Sequence, residues 1–265
     1  MEPVLVKASV RSVLFALIFL GCAAPDTSRI KLIGHGGLGP HGEHPMDSRA
    51  AVIGALASGL DGVELDLQMT KDHVLVAFHD LELDASTDCH GPVHSRTWEE
   101  LRTCPNVAHA GVPYPIVRVD SFLIEVAGLY PGTEFTLDIK LNTKGEWWPY
   151  LHAFNDALID LATRPELTGR ILIECQTEDF LRLLHTEAPE LPLFLYGTDA
   201  GTAAAQALGL GCSGITLDAN SMSKAEIALA RERGLQTTLF GVSGAWELRN
   251  AVDLGPDRIQ VDHPH

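Results

Sequence analysis

The sequence predicts an α/β fold, a TIM (β/α)8 barrel, on three observations. Past residue 29, eight short apolar runs alternate with stretches of helical periodicity. Each run is punctuated by Gly, Asp or Pro, as a βα unit requires. Charged residues gather at the C-terminal ends of several runs, which form the catalytic face of such barrels. An open doubly wound sheet is the alternative with the same alternation.

The chain starts with Lys7 and Arg11, followed by the apolar stretch from Ser12 to Cys22. That pattern reads as an export signal over residues 1–21, too short to span a bilayer comfortably. The Gly21-Cys22 junction resembles a bacterial lipoprotein cleavage box, with Cys22 becoming the lipidated first residue of a tether over 22–29. A plain cleaved signal and an uncleaved anchor are the alternatives. In each case the barrel, residues 30–265, leaves the cytoplasm for the periplasm or the cell surface. Export makes Cys89 and Cys104 candidates for a disulfide, although spacing alone leaves them equally readable as free thiols. Cys175 and Cys212 read as buried strand residues, and the absence of any Cys-x-x-Cys pair argues against a thiolate zinc site.

The expected barrel strands are Ile30 to Gly36, Gly62 to Gln68, Glu134 to Leu141, Arg170 to Gln176, Leu191 to Tyr196, Gly214 to Asp218, Leu235 to Val242 and Arg258 to Asp262. Helical patterns cover Asp47 to Ser58, Glu146 to Ala162, Thr177 to Glu187, Ser223 to Arg233 and Ala245 to Asp253, with Asp47 and Ser223 as plausible N-caps. One run, Val74 to Phe78, breaks the rhythm. Only Lys71-Asp72-His73 separates it from the preceding strand, too little for a parallel crossover, so it is a hairpin partner. From there the chain carries His, Cys, Pro and a capping box at Thr97-x-x-Glu100, which predicts a lid insertion over the barrel mouth, about 71–120.

A net charge of −16 argues against DNA or RNA as partners, because a phosphate-tracking groove needs clustered Lys and Arg. An anionic small molecule stays compatible, provided a bound metal or a few local cations reverse the field at the site. Glu64 and Asp66 stand two apart in Gly62-Val-Glu-Leu-Asp-Leu-Gln68, so both carboxylates share one face while Val63, Leu65 and Leu67 pack on the other. Two anions so placed need a cation or a shared proton. Asp138 and Lys140 repeat the spacing on the next barrel strand. Three carboxylates without thiolates suit a hard divalent cation, Ca²⁺ or Mg²⁺, with His35 and His79 flanking it. Glu174 and Gln176 lie on an inward face, as pocket lining or as a buried polar network.

These residues resemble the glycerophosphodiester phosphodiesterases, whose barrel relates to that of the phosphatidylinositol-specific phospholipases C. Ile33-Gly-His35-Gly-Gly stands where the family has a His-Arg-Gly turn, and Pro45-Met-Asp-Ser48 echoes its Pro-Glu-Asn-Thr. Gly59-Leu-Asp-Gly-Val-Glu64-Leu-Asp66, Thr70-Lys-Asp72, Val76-Ala-Phe-His79-Asp80 and Leu137-Asp-Ile-Lys140 follow the family pattern in order and spacing. The resemblance implies that Glu64, Asp66 and Asp138 hold the metal, that His35 and His79 form the acid/base pair, and that Lys140 steadies the phosphate. It implies a small-molecule phosphodiester or lysophospholipid substrate, attack by the neighbouring glycerol hydroxyl, and release of an alcohol and glycerol phosphate. Two departures stand out. Gly36 replaces an arginine, leaving Arg49, Arg118, His41 and His44 as substitute cations. Asp138 replaces a glutamate, and Asp-x-Lys also resembles the sphingomyelinase D-type phospholipases D, which stop at a cyclic phosphate. A metal- or anion-binding lipoprotein without turnover is the third reading.

Overall fold

The structure, a computed structural model, describes residues 30–107 and 112–263. The predicted export signal, the tether and Cys22 lie outside them. Eight parallel strands form a closed barrel with helices outside. In chain order the elements are β1 (Lys31–Gly34), α1 (Arg49–Ala57), β2 (Gly62–Met69), β3 (Leu75–Ala77), α2 (Trp98–Leu101), β4 (Val117–Arg118), α3 (Val119–Leu129), β5 (Glu134–Ile139), α4 (Trp147–Ala162), β6 (Ile171–Cys175), α5 (Glu178–Glu187), β7 (Leu193–Tyr196), α6 (Ala200–Leu210), β8 (Gly214–Asp218), α7 (Lys224–Glu232), β9 (Gln236–Val242), α8 (Ala245–Leu254) and β10 (Arg258–Val261). The pairing order β1-β10-β9-β8-β7-β6-β5-β2 closes on itself through β1–β2. All eight predicted barrel strands are present, and the open sheet is excluded.

Closure follows from the sequence, because every barrel strand needs two covered faces. Val63, Leu65 and Leu67 are fully buried under α1 and α3, while the alternate residues point into the barrel. The sequence patterns single out neither α3 nor α6. The latter is alanine-rich, burying Ala203, Ala204 and Ala207, and is marked chiefly by its ends, Asp199 accepting from the Thr202 N–H and Gly211 in the left-handed conformation. Cys175 lies on β6, but Cys212, expected on a strand, is a buried residue between α6 and β8. The floor of the barrel is an ion pair: Glu134 accepts from Arg258 Nε at 2.5 Å and from Lys31 Nζ at 2.6 Å.

β3 turns back along the end of β2, pairing Leu67 with Ala77, and β4 pairs antiparallel with β3. Between β3 and β4 the insertion builds its own small core around Val76, Phe78, Leu83, Val93, Leu101 and Ile116. The capping box at Thr97 and Glu100 forms as expected. Cys89 and Cys104 are joined by a disulfide, which resolves the pairing left open by their spacing. The insertion leans on loops of the catalytic face: the Tyr114 hydroxyl meets His44 Nδ1 at 3.0 Å after β1, and Asn142 Nδ2 donates to the Leu81 carbonyl after β5.

Candidate active site

β2 and β5 run parallel with Asp66 in register with Asp138. That register converts two separate i, i+2 patterns into one cluster: Glu64, Asp66 and Asp138 each offer an oxygen within 4.8 Å of the others. Glu64 and Asp66 are almost fully buried. Burial first, then the charges of Asp66 and Asp138, push the Glu64 carboxyl well above its ordinary range. Burial also raises Asp138, although Lys140 pulls the other way. Lys140 Nζ lies 2.9 Å from Asp66 Oδ1 and 2.5 Å from Asp138 Oδ2. Despite the opposing effect of burial, those two carboxylates hold its ammonium far above the usual range. Asp66 Oδ2 is buried without a hydrogen-bond partner. Clustered carboxylates, excess negative charge and an orphaned oxygen are the features that a hard cation would satisfy.

Both predicted histidines line the cavity that Glu64 and Asp138 also line. His35 follows β1, and its Nδ1 sits 2.7 Å from Asp262 Oδ1, just past β10. Burial opposes its charged form, but the Asp262 hydrogen bond and the surrounding carboxylates outweigh that and raise its pKa. His79 Nδ1 lies 3.1 Å from Asp80 Oδ1, and Ser86 Oγ donates to the other Asp80 oxygen at 2.9 Å. The backbone on either side of His79 is clamped by Gln68, whose Nε2 donates to the Phe78 carbonyl at 2.7 Å and the Asp80 carbonyl at 2.8 Å. His35, Glu64, His79, Asp138 and Lys140 line one cavity of about 330 Å³. Asp66 belongs to the carboxylate cluster at its wall.

The rest of the cavity lining combines polar and aromatic residues. Glu174, in register with Asp138, accepts from Thr216 Oγ1 at 2.6 Å and Gln260 Nε2 at 2.8 Å. Burial and the nearby Asp138 charge lift its pKa to about 7. It is therefore both pocket lining and a member of a buried network, while Gln176 lines the cavity. Tyr196 and Phe240 stack at 5.2 Å along the rim.

Several expectations change. Asp47 is not the cap of α1; Ser48 is, accepting from the Ala51 N–H. Asp47 is buried with φ of 63°, a conformation Asp tolerates better than most residues. Its Oδ1 accepts from the Asp66 N–H at 3.0 Å and its Oδ2 has no hydrogen-bond partner, so it adds a carboxylate beside the cluster. Gly36, with φ of 52°, directs its N–H to Glu64 Oε2 at 2.9 Å. A Cβ there would come within 2.6 Å of Met46 Cβ, so the methionine side chain packs against this turn. None of Arg49, Arg118, His41 and His44 lines the catalytic cavity. Arg49 pairs with Glu125, Arg118 grips Asp120 through two nitrogens at 2.8 and 2.7 Å, and His44 meets Tyr114.

Asp262, Gln68 and Gln260 escaped prediction as site residues. The signal was present: Gln68 continues the inward face of Glu64 and Asp66, and Gln260 with Asp262 repeats the i, i+2 polar pattern on the closing strand.

The sequence profile of the glycerophosphoryl diester phosphodiesterase family matches residues 38–265, beginning just after the His35 turn. A glycerophosphodiester phosphodiesterase from Bacillus altitudinis is 26% identical over 245 residues, covering 88% of this chain and 95% of that protein. Among solved structures, a putative glycerophosphoryl diester phosphodiesterase from Silicibacter pomeroyi superposes with a TM-score of 0.78 at 18% identity, covering 89% and 90% of the two chains. A phosphodiesterase from Oleispira antarctica, solved with the product sn-glycerol-3-phosphate, gives 0.76 at 18% identity over 88% and 93%.

Proposed function

Because the chain belongs to the glycerophosphoryl diester phosphodiesterase family, we propose that it hydrolyses glycerophosphodiesters to an alcohol and glycerol phosphate, using a divalent cation and two histidines. The observation that carries this reading is one cavity lined by both imidazoles, Lys140 and the carboxylate cluster. Glu64, Asp66 and Asp138 are the residues that would hold Ca²⁺ or Mg²⁺. When bound, the cation polarises a phosphoryl oxygen.

The side chains do the remaining work. His35, with Nδ1 engaged by Asp262, presents Nε2 to the substrate, and its raised pKa suits it to start protonated and donate to the leaving alcohol. His79, with Nδ1 engaged by Asp80, takes the proton from the neighbouring glycerol hydroxyl as that oxygen bonds to phosphorus. The leaving P–O bond breaks and a cyclic phosphate forms. In the second half the roles reverse: His35 accepts a proton from water as the water oxygen bonds to phosphorus, and His79 returns its proton to the glycerol oxygen as the ring P–O bond to that oxygen breaks. Lys140 balances charge on the phosphate.

Phosphorus NMR of glycerophosphocholine with the full chain, in Ca²⁺, in Mg²⁺ and in chelator, tests the reading. It requires a metal-dependent glycerol phosphate signal. An accumulating cyclic phosphate would select the lyase chemistry instead, and metal binding without turnover would select a binding lipoprotein. By calorimetry Glu64→Gln should lose at least about tenfold in cation affinity, since one charged oxygen ligand is removed; unchanged affinity would mean the metal is held elsewhere. We also place the barrel outside the cytoplasm, tethered through Cys22. The Cys89–Cys104 disulfide supports this, as such bonds persist in oxidising compartments. Loss of membrane association in Cys22→Ala cells would accord with it, and unchanged fractionation would count against it.

A further inference from the structure

The loop from β1 to α1 is stitched to the carboxylate cluster at two points. Near its start, the Gly36 N–H donates to Glu64 Oε2 at 2.9 Å. Near its end, Asp47 Oδ1 accepts from the Asp66 N–H at 3.0 Å, and the Asp47 N–H closes the loop on the Gly36 carbonyl at 3.0 Å. Asp47 is only 4% exposed, and its second oxygen, Oδ2, has no hydrogen-bond partner. The same holds for Oδ2 of Asp66. Two buried carboxylates on hydrogen-bonded residues thus each keep one unsatisfied oxygen, at the edge of a cluster that already carries Glu64 and Asp138. Native folds rarely leave such atoms bare unless an ion or a water completes them.

We propose that Asp47 is a further anionic determinant of the cation site, setting its affinity through charge and not merely by fastening the loop. The inference rests on the reading of Glu64, Asp66 and Asp138 as the cation's ligands and adds a residue outside that set. The cationic side chains on neighbouring elements are engaged elsewhere: Lys140 by Asp66 Oδ1 and Asp138 Oδ2, Arg49 by Glu125, and His35 by Asp262. Gly36, in the place of the family's arginine, brings no cation to the loop. Asp47 itself stands where the family pattern has an asparagine, so the extra carboxylate belongs to this chain. Its two oxygens have separable roles. Oδ1 holds the Asp66 backbone, and with it the strand position of one ligand. The orphaned Oδ2 and the charge find their counterpart in a divalent cation at the cluster, and the charges gathered around an oxygen-ligated cation tune how tightly it is kept.

Asp47→Asn separates those roles. Asparagine has the same shape and tolerates the left-handed φ of 63° at this position. Its carbonyl can still accept from the Asp66 N–H, so only the charge is removed. Ca²⁺ and Mg²⁺ would be titrated calorimetrically into the full chain at pH 8, and urea unfolding would be followed in chelator and in calcium. Cation affinity should fall about 10–100-fold, the usual effect of losing a group that acts on a metal ligand. In chelator the variant should unfold at higher urea than the parent, by roughly half a molar, because one unsatisfied buried charge is gone. Calcium should narrow that gap, since a ligand stabilises the tighter binder more. Asp47→Gly, unstrained at this φ but lacking the Oδ1 acceptor, should lose at least as much affinity without the gain in stability. Asp253→Asn, which removes an exposed charge in the last turn of α8, should bind cations as the parent does. Unchanged affinity in Asp47→Asn would overturn the inference, as would an equal loss in Asp253→Asn, the mark of net charge alone. So would weaker binding joined to earlier unfolding in chelator, which would make Asp47 a structural fastener. A parent that binds neither cation would bring down the metal reading and this inference together, whereas binding that needs Glu64 and ignores Asp47 would bring down this one alone.

Discussion

Replacing Glu174 with glutamine should flatten the loss of stability that the metal-free protein suffers as pH rises. Its carboxyl has an ordinary value of 4.5 and stands at about 7 in the fold, because it is buried beside Asp138. A carboxyl raised on folding favours the native state while protonated. Its contribution is complete below the unfolded value and fades as pH climbs through the folded one. The gap of about 2.5 pH units, at about 1.36 kcal/mol each, amounts to roughly 3 kcal/mol, of which about 2.5 kcal/mol is lost between pH 5 and 8. Glutamine is isosteric with the protonated acid, and the Thr216 hydroxyl can rotate to accept from its amide. The two proteins should therefore match within about 1 kcal/mol at pH 5. At pH 8 the variant should be more stable by about 2–3 kcal/mol. Asp47, also raised, tilts both curves alike, whereas Glu64 and Asp138 interact with the Glu174 charge, so its removal eases them at high pH and acts in the same direction. Urea unfolding in chelator, followed by tryptophan fluorescence at each pH with the urea slope checked for constancy, measures it. Parallel curves for parent and variant would refute the reasoning.

Three further outcomes follow from the geometry. Asp262→Asn removes the partner that raises His35; if protonated His35 is the acid, the alkaline limb of kcat/KM should move to lower pH, and an unmoved limb would assign that limb to another group. His79→Ala should cost about 10²–10⁴ in kcat while leaving cation affinity intact, and retained hydrolysis would remove His79 from the acid/base pair. Replacing Cys89 and Cys104 together by serine opens a crosslink with a separation of 15 residues, worth about 3 kcal/mol in the chain-entropy model, and should make the insertion the first segment cut in limited proteolysis; an unchanged digestion pattern would mean the insertion's own core suffices.

The barrel was legible because each strand is a short apolar run closed by a turn residue, and β2 was legible twice over, since its polar residues sit at every second position. The hairpin partner could be read from a gap too short for a crossover. Asp262 was harder: its strand was visible, but its meeting with His35 depends on which strands become neighbours when the barrel closes. Asp47 misled because an acidic residue ahead of a helical run is ordinarily a cap, and only the left-handed turn after Pro45 sends its carboxylate inward. The alternatives to Gly36's missing cation failed for a related reason: Arg49 and Arg118 had closer carboxylates on the outer helices, and local pairing took them before the site could.

The contact between His35 and Asp262 joins residues 227 positions apart, just past the ends of β1 and β10, the first and last barrel strands, which pair with each other. The first of the two groups is synthesised near the beginning of the barrel and waits through every intervening βα unit for the second. A partly assembled barrel can hold the β2–β5 carboxylates in register long before His35 has its partner, so cation binding should precede catalytic competence during refolding. The order in which those two properties return is thus a clock for closure, with the active site itself as its last-formed seam.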